Sequence, residues 1–148
     1  MSSTDIFNIV GSSLDAQNAR MGAIASNLAN IDSVTPPGSQ PYRAHEVVFE
    51  AAPVAAGEVA GFASANNGAP DLGVNVVGTV QSNADPKKTY NPSSPYADAQ
   101  GYVTGSNVSQ TDEMVNLIDS SNSYAASIAV LQQASRLDQQ MLASFQVA

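Results

Sequence analysis

Large apolar side chains near the N-terminus fall on a single stripe. Phe7, Val10, Leu14, Met21, Ile24, Leu28 and Ile31 alternate three and four residues apart, with Gln17 as one polar interruption. That spacing predicts a helix carrying a coiled-coil seam, about 40 Å long at a rise of 1.5 Å per residue. Its opposite face holds Ser12, Asp15, Ala19 and Ser26, small or polar residues that permit close approach of a neighbouring helix. A second stripe closes the chain. Met114, Leu117, Ile118, Tyr124, Ile128, Leu131, Leu137, Met141, Leu142 and Phe145 recur at threes and fours, with Ala125, Ala129 and Ala134 between them. This stripe is broader than a two-helix seam and suits contact with more than one neighbour. Its start is marked between Asn107 and Thr111. There Ser109 and Asp112 approximate a capping box, and Asp112 and Glu113 sit at the positive end of the helix dipole.

The helix breakers lie between these stripes. All eight prolines fall from Pro36 to Pro95, and eight of the ten glycines from Gly38 to Gly105, so the two ends read as long helices and the middle does not. Within the middle, Tyr42 to Phe49, Val74 to Val80 and Tyr102 to Val103 have the β-branched and aromatic character of short strands. Residues 51–73, rich in Ala and Gly, read as an extended loop. The expected fold is therefore mainly α with a β insertion: a helix over 1–34, a small irregular β-rich segment over 35–106, and a helix over 107–148. Neither helix buries its stripe alone in water. Each needs the other, further subunits, or both.

Charge narrows the partners. Thirteen acidic side chains stand against only Arg20, Arg43, Lys87, Lys88 and Arg136, a net charge of -8, with no clustered cations to neutralise phosphates or anionic lipid. Nucleic acid and membrane insertion are not expected, and no apolar run approaches the ~20 residues that span a bilayer. There are no cysteines for disulfides or thiolate ligation. Met1 to Asp5 has no cationic region of the kind that opens a cleaved secretory signal. By itself that points to the cytoplasm.

Candidate chemistry is sparse. The one histidine, His45, adjoins Glu46 in an expected strand. No nucleophile elbow, zincin pair, phosphate loop or dinucleotide fingerprint is present. Asp98-Ala99-Gln100-Gly101 lacks the alternating ligands and closing Glu of a calcium loop and reads as a turn, as does the region of Lys87 and Lys88. No catalytic residue, cofactor or metal site is expected.

Four blocks carry a resemblance. Ala25-Ser26-Asn27-Leu28-Ala29-Asn30 resembles the Ala-Ser-Asn-Ile/Leu-Ala-Asn signature shared by flagellar rod, hook and related axial proteins. Pro41-Tyr42-Arg43, followed by Glu46-Val47-Val48-Phe49-Glu50, is more specific and is similar to the FlgC family of proximal rod proteins. Tyr90-Asn91-Pro92 with Asp98-Ala99-Gln100-Gly101-Tyr102-Val103 forms the third block, and Asn107-Val108 with Glu113 to Ile118 and Ser123 to Ser127 the fourth. They run in family order along nearly the whole chain. Ile31 to Val34 and the Ala/Gly-rich stretch depart from the family pattern.

The resemblance implies a structural subunit of the bacterial flagellum, located in the periplasmic rod of the basal body and not in the cytoplasm. Export would run through the flagellar type III apparatus, without cleavage of a signal. The implied partners are the chain itself, other rod subunits, and the adaptor and membrane-ring proteins of the basal body. The implied mechanism is polymerisation into a hollow, torque-bearing tube, the terminal helices forming an inner coiled-coil layer. Rival readings are another rod or secreted filament subunit, and a monomeric helical domain that binds a ligand in its β insertion.

Overall fold

The structure is a computed structural model that describes residues 3–53 and 72–146. Two long helices enclose the β segment in sequence: α1 (Ser3–Ala29), β1 (Val34–Thr35), β2 (His45–Pro53), β3 (Leu72–Gln81), β4 (Lys88–Tyr90), β5 (Tyr102–Gly105) and α2 (Gln110–Gln146). Helix at both ends and a β-rich middle agree with the expectation from the breakers.

Local chemistry sets the helix ends. The last turn of α1 is closed by the Asn30 side chain, whose amide donates to the Ser26 carbonyl at 2.9 Å, and by the Asn30 and Ile31 N–H groups, which donate to the carbonyls of Asn27 and Leu28. Pro36 and Pro37 then bar any continuation. At the start of α2, Ser109 accepts the Asp112 N–H at its hydroxyl and the Glu113 N–H at its carbonyl. It is the cap expected there, and the helix opens at Gln110, between Asn107 and Thr111.

The strands form two sheets. In one, the order is β1-β5-β4, both pairs antiparallel, with Val34 opposite Gly105 and Tyr90 opposite Tyr102. The Tyr90 and Tyr102 rings meet edge to face, 5.3 Å apart. The turn into β5 is closed by Asp98, whose Oδ1 accepts the N–H groups of Gln100 and Tyr102 at 2.9 and 2.8 Å. Gly101 occupies the left-handed region at φ 83°, where an added Cβ would meet the Tyr90 ring at 2.9 Å. The other sheet is the ribbon β2-β3. Strands β1 and β4 were not legible beforehand: they are two and three residues long, too short to carry a pattern, and every residue of β4 is exposed. The turn expected around Lys87 and Lys88 is corrected accordingly, since Lys88 opens β4. Of the expected loop over 51–73, residues 51–53 and 72–73 are strand instead, and 54–71 lie outside the described residues, as does the Phe145 side chain.

The chain divides into two compact units, one from Met1–Asn18, Phe49–Val77 and Ser121–Ala148, the other from Ala19–Val48 and Gly78–Ser120. Among the described residues, the buried apolar side chains of the first are Val10, Ala16 and Ala134, and those of the second Ile24, Ala44, Val103 and Val108. These cores are small, and the largest side chains below 2% exposure are polar, Asn27 and Ser120.

Candidate functional site

Three of the four motif blocks converge in the second unit on Asn27, near the end of α1. The Asn27 amide donates to the His45 carbonyl and to Glu113 Oε1, both at 3.0 Å. Its Oδ1 accepts the His45 N–H at 2.8 Å and the Tyr42 hydroxyl at 3.1 Å. Both donors and both acceptors of one buried amide are thus engaged, joining α1, the entry to β2 and the first turn of α2. Because the Tyr42 hydroxyl spends its proton on Asn27, it accepts from Ser26 Oγ at 3.1 Å and from His45 Nδ1 at 3.0 Å. That direction places a hydrogen on Nδ1 of His45.

Asn107 holds the same segment from the other side. Its Oδ1 accepts the Ala44 N–H at 2.7 Å, its amide donates to the carbonyls of Ser82 and Ala84, and its own N–H donates to the Tyr42 carbonyl. Arg43 points elsewhere, donating to Asn83. Glu113 is buried, and burial pushes its carboxyl above the ordinary value. The Asn27 hydrogen bond opposes this, while the like charges of Glu46 and Asp112 reinforce it. The sequence alone assigned Glu113 to the helix dipole. Its pairing with Asn27, 86 positions away, had no local signal.

In each unit the two helices run antiparallel, and polar groups mark their contact. In the first unit the Ser13 hydroxyl lies 3.3 Å from that of Ser127, which itself donates to the Ser123 carbonyl and so accepts from Ser13. Phe7 shares an open groove there with Leu131, Gln132, Ser135, Arg136 and Gln139. In the second unit Arg20 reaches Asp119 at 3.3 Å and Asn116 at 3.4 Å, and Asn27 reaches Glu113. Within the second unit Arg20 and Asn27 are seven residues apart, the spacing of one heptad. Ser120 Oγ and, in the first unit, Gln17 Oε1 are buried with no hydrogen-bond partner among the described residues.

The apolar stripes fare unequally. On α1, Val10 and Ile24 are buried, while Phe7, Leu14, Met21 and Leu28, with Ile31 just beyond, are half-buried. On α2, Tyr124, Ile128 and Leu131 are half-buried, whereas Met114, Leu117, Ile118, Leu137, Met141 and Leu142 are exposed, Ile118 by 61% and Leu142 by 65%. Part of α2 is therefore turned inside out: Glu113, Asn116 and Ser120 face inward in the second unit while Met114, Val115, Leu117 and Ile118 face out. Of the remaining motif residues, Asn30 caps α1, Pro41 and Val47 are half-buried, Val48 and Phe49 are exposed on β2, and Gly101 and Tyr102 shape the turn into β5.

A cavity of about 240 Å³ in the second unit is lined by Ile31, Asp32, Val34, Lys87, Thr89 and Val103 among others. Among the described residues, no group of three or more His, Asp or Glu is placed to hold a metal ion, and no helix is long and apolar enough to cross a membrane.

Comparison with known proteins adds the context of this arrangement. Residues 99–144 match the family of the flagellar basal body rod FlgEFG protein C-terminal region. Proteins named flagellar basal-body rod protein FlgC are similar over most of their length. That of Salmonella typhimurium is 46% identical over 131 residues, 88% of this chain and 89% of its own. That of Escherichia coli O157:H7 is 45% identical over the same span, and that of Bacillus subtilis 31% identical over 84% of this chain and 85% of its own.

Proposed function

The chain belongs to the family of the flagellar basal-body rod protein FlgC and is a structural subunit of that rod; from that premise we propose that it builds the proximal rod by polymerising through its two terminal helices. The observation that carries this reading is the outward apolar face of α2. A monomer gains nothing by presenting Leu117, Ile118, Leu137 and Leu142 to water while its inward positions are Glu113, Asn116 and Ser120. Covering that face with helices of other subunits, of the same kind or of other rod proteins, gives the stripe its burial, at ~1.5–3 kcal/mol per large side chain. The subunit-packing residues are then the two stripes, and the motif residues around Asn27 fix how the helices leave the β insertion.

In this reading residues 1–34 and 107–148 form an inner coiled-coil layer, and 35–106 lie outside it and make lateral contacts. Head-to-tail contacts that do not close on themselves give a hollow tube able to carry torque. The subunit reaches the periplasmic side through the flagellar type III apparatus without cleavage of a signal, then meets the adaptor and membrane-ring proteins. No reaction is assigned to it. The high identity to proteins named FlgC argues against another filament subunit as the better description.

The test is genetic and structural. In a strain lacking the gene, isolated basal bodies should keep their membrane ring and lose the rod, and the wild-type gene should restore it. Ile118→Glu should fail to restore the rod while yielding a folded soluble chain. A full-length rod in the deletion strain, or full restoration by Ile118→Glu, would contradict the proposal.

A further inference from the structure

Sulfur in this chain is confined to methionine, since there is no cysteine. Met21 on α1 is half-buried. Met114 and Met141 on α2 are 51% and 50% exposed, and each sits within the outward apolar face of its own unit, Met114 with Leu117 and Ile118, Met141 with Leu137 and Leu142. A thioether on a surface that must later dry out is soft, accessible and chemically changeable without disturbing the monomer fold.

We propose that Met114 and Met141 are oxidation sites of the unassembled chain, converted by peroxides to methionine sulfoxides that bar the α2 face from docking. The second half of this statement rests on the assembly reading above. In the reaction a sulfur lone pair attacks one peroxide oxygen. With hydrogen peroxide the S–O bond forms as the O–O bond breaks, sulfur loses two electrons, and the departing hydroxide takes the proton shed by the transferred oxygen and leaves as water. The product places a strong hydrogen-bond acceptor on the apolar stripe, and packing a neighbouring helix over it strands that oxygen without a donor. In the monomer the same oxygen stays hydrated, so folding is spared while docking is lost. Enzymatic reduction of the sulfoxide restores the face.

The first measurement treats the full chain with hydrogen peroxide and follows sulfoxide at each methionine by peptide mass mapping. Met114 and Met141 should gain oxygen several-fold faster than Met21; rates at 114 and 141 no greater than that at 21 would overturn the assignment. The second compares self-association by sedimentation for the native chain before and after peroxide and for the Met114→Leu/Met141→Leu chain. Oxidation should weaken association of the native chain roughly tenfold or more and leave the leucine variant unchanged. Equal association of oxidised and reduced native chains would overturn the docking half. A chain that stays monomeric before any peroxide contradicts self-assembly instead, and the rate order still decides the oxidation sites.

Discussion

Asn27 shows how much one side chain can hold. Replacing it by alanine removes at once the acceptor for the His45 N–H, the donor to the His45 carbonyl and to Glu113, and one of the three partners of the Tyr42 hydroxyl. Buried groups left without partners cost ~1–3 kcal/mol each, partly relieved where water enters, so Asn27→Ala should destabilise the fold by about 3 kcal/mol, measured by urea unfolding. Glu113 answers in the opposite sense. Its carboxyl titrates above its ordinary value because burial disfavours the charged form, so the stability it contributes is fully present when it is protonated. That stability is lost as pH rises from the ordinary carboxylate value through the raised one, and stays lost at neutral pH. Glu113→Gln keeps an oxygen for the Asn27 amide and carries no charge. It should melt higher than the native chain at pH 7 and lack this part of the pH dependence, a difference that thermal melts between pH 4 and 7 measure directly.

At the scale of elements, α1 carries an exposed glycine in its interior. Gly22 has open space where a Cβ would stand and no left-handed backbone to justify it, so Gly22→Ala should stabilise the monomer by about 1 kcal/mol and raise its helicity, read by circular dichroism. The two helices were legible from the sequence because stripe period and breaker positions agree, and the Ser109 cap from its spacing to Asp112. What stayed hidden depends on pairing between distant segments. A heptad stripe says that a helix wants neighbours; it does not say which face its own chain will cover. Here α2 turned polar positions inward, which no periodicity of its own would suggest. Strands β1 and β4 were illegible for a related reason, since two or three residues held by β5 need no pattern of their own. Of the candidate site, Ser26, Asn27, Tyr42, Asn107 and Glu113 all lie in blocks that the motif resemblance marks, whereas their pairing across the chain appeared only when it closed on itself.

The whole molecule is a small-cored pair of units with much of the α2 apolar stripe facing out. Its helicity should therefore rise with concentration as that face is covered, and dilution should lower it. Concentration-independent, cooperative melting at full helicity would instead mark a self-sufficient bundle. The Asn27 junction also has a mechanical side. It yields only when bonds to His45, Tyr42 and Glu113 part together. Drawn apart, α1 and the first turn of α2 should hold until Asn27 lets go and then separate abruptly, at a force that Asn27→Ala lowers. Such a joint does not loosen by degrees.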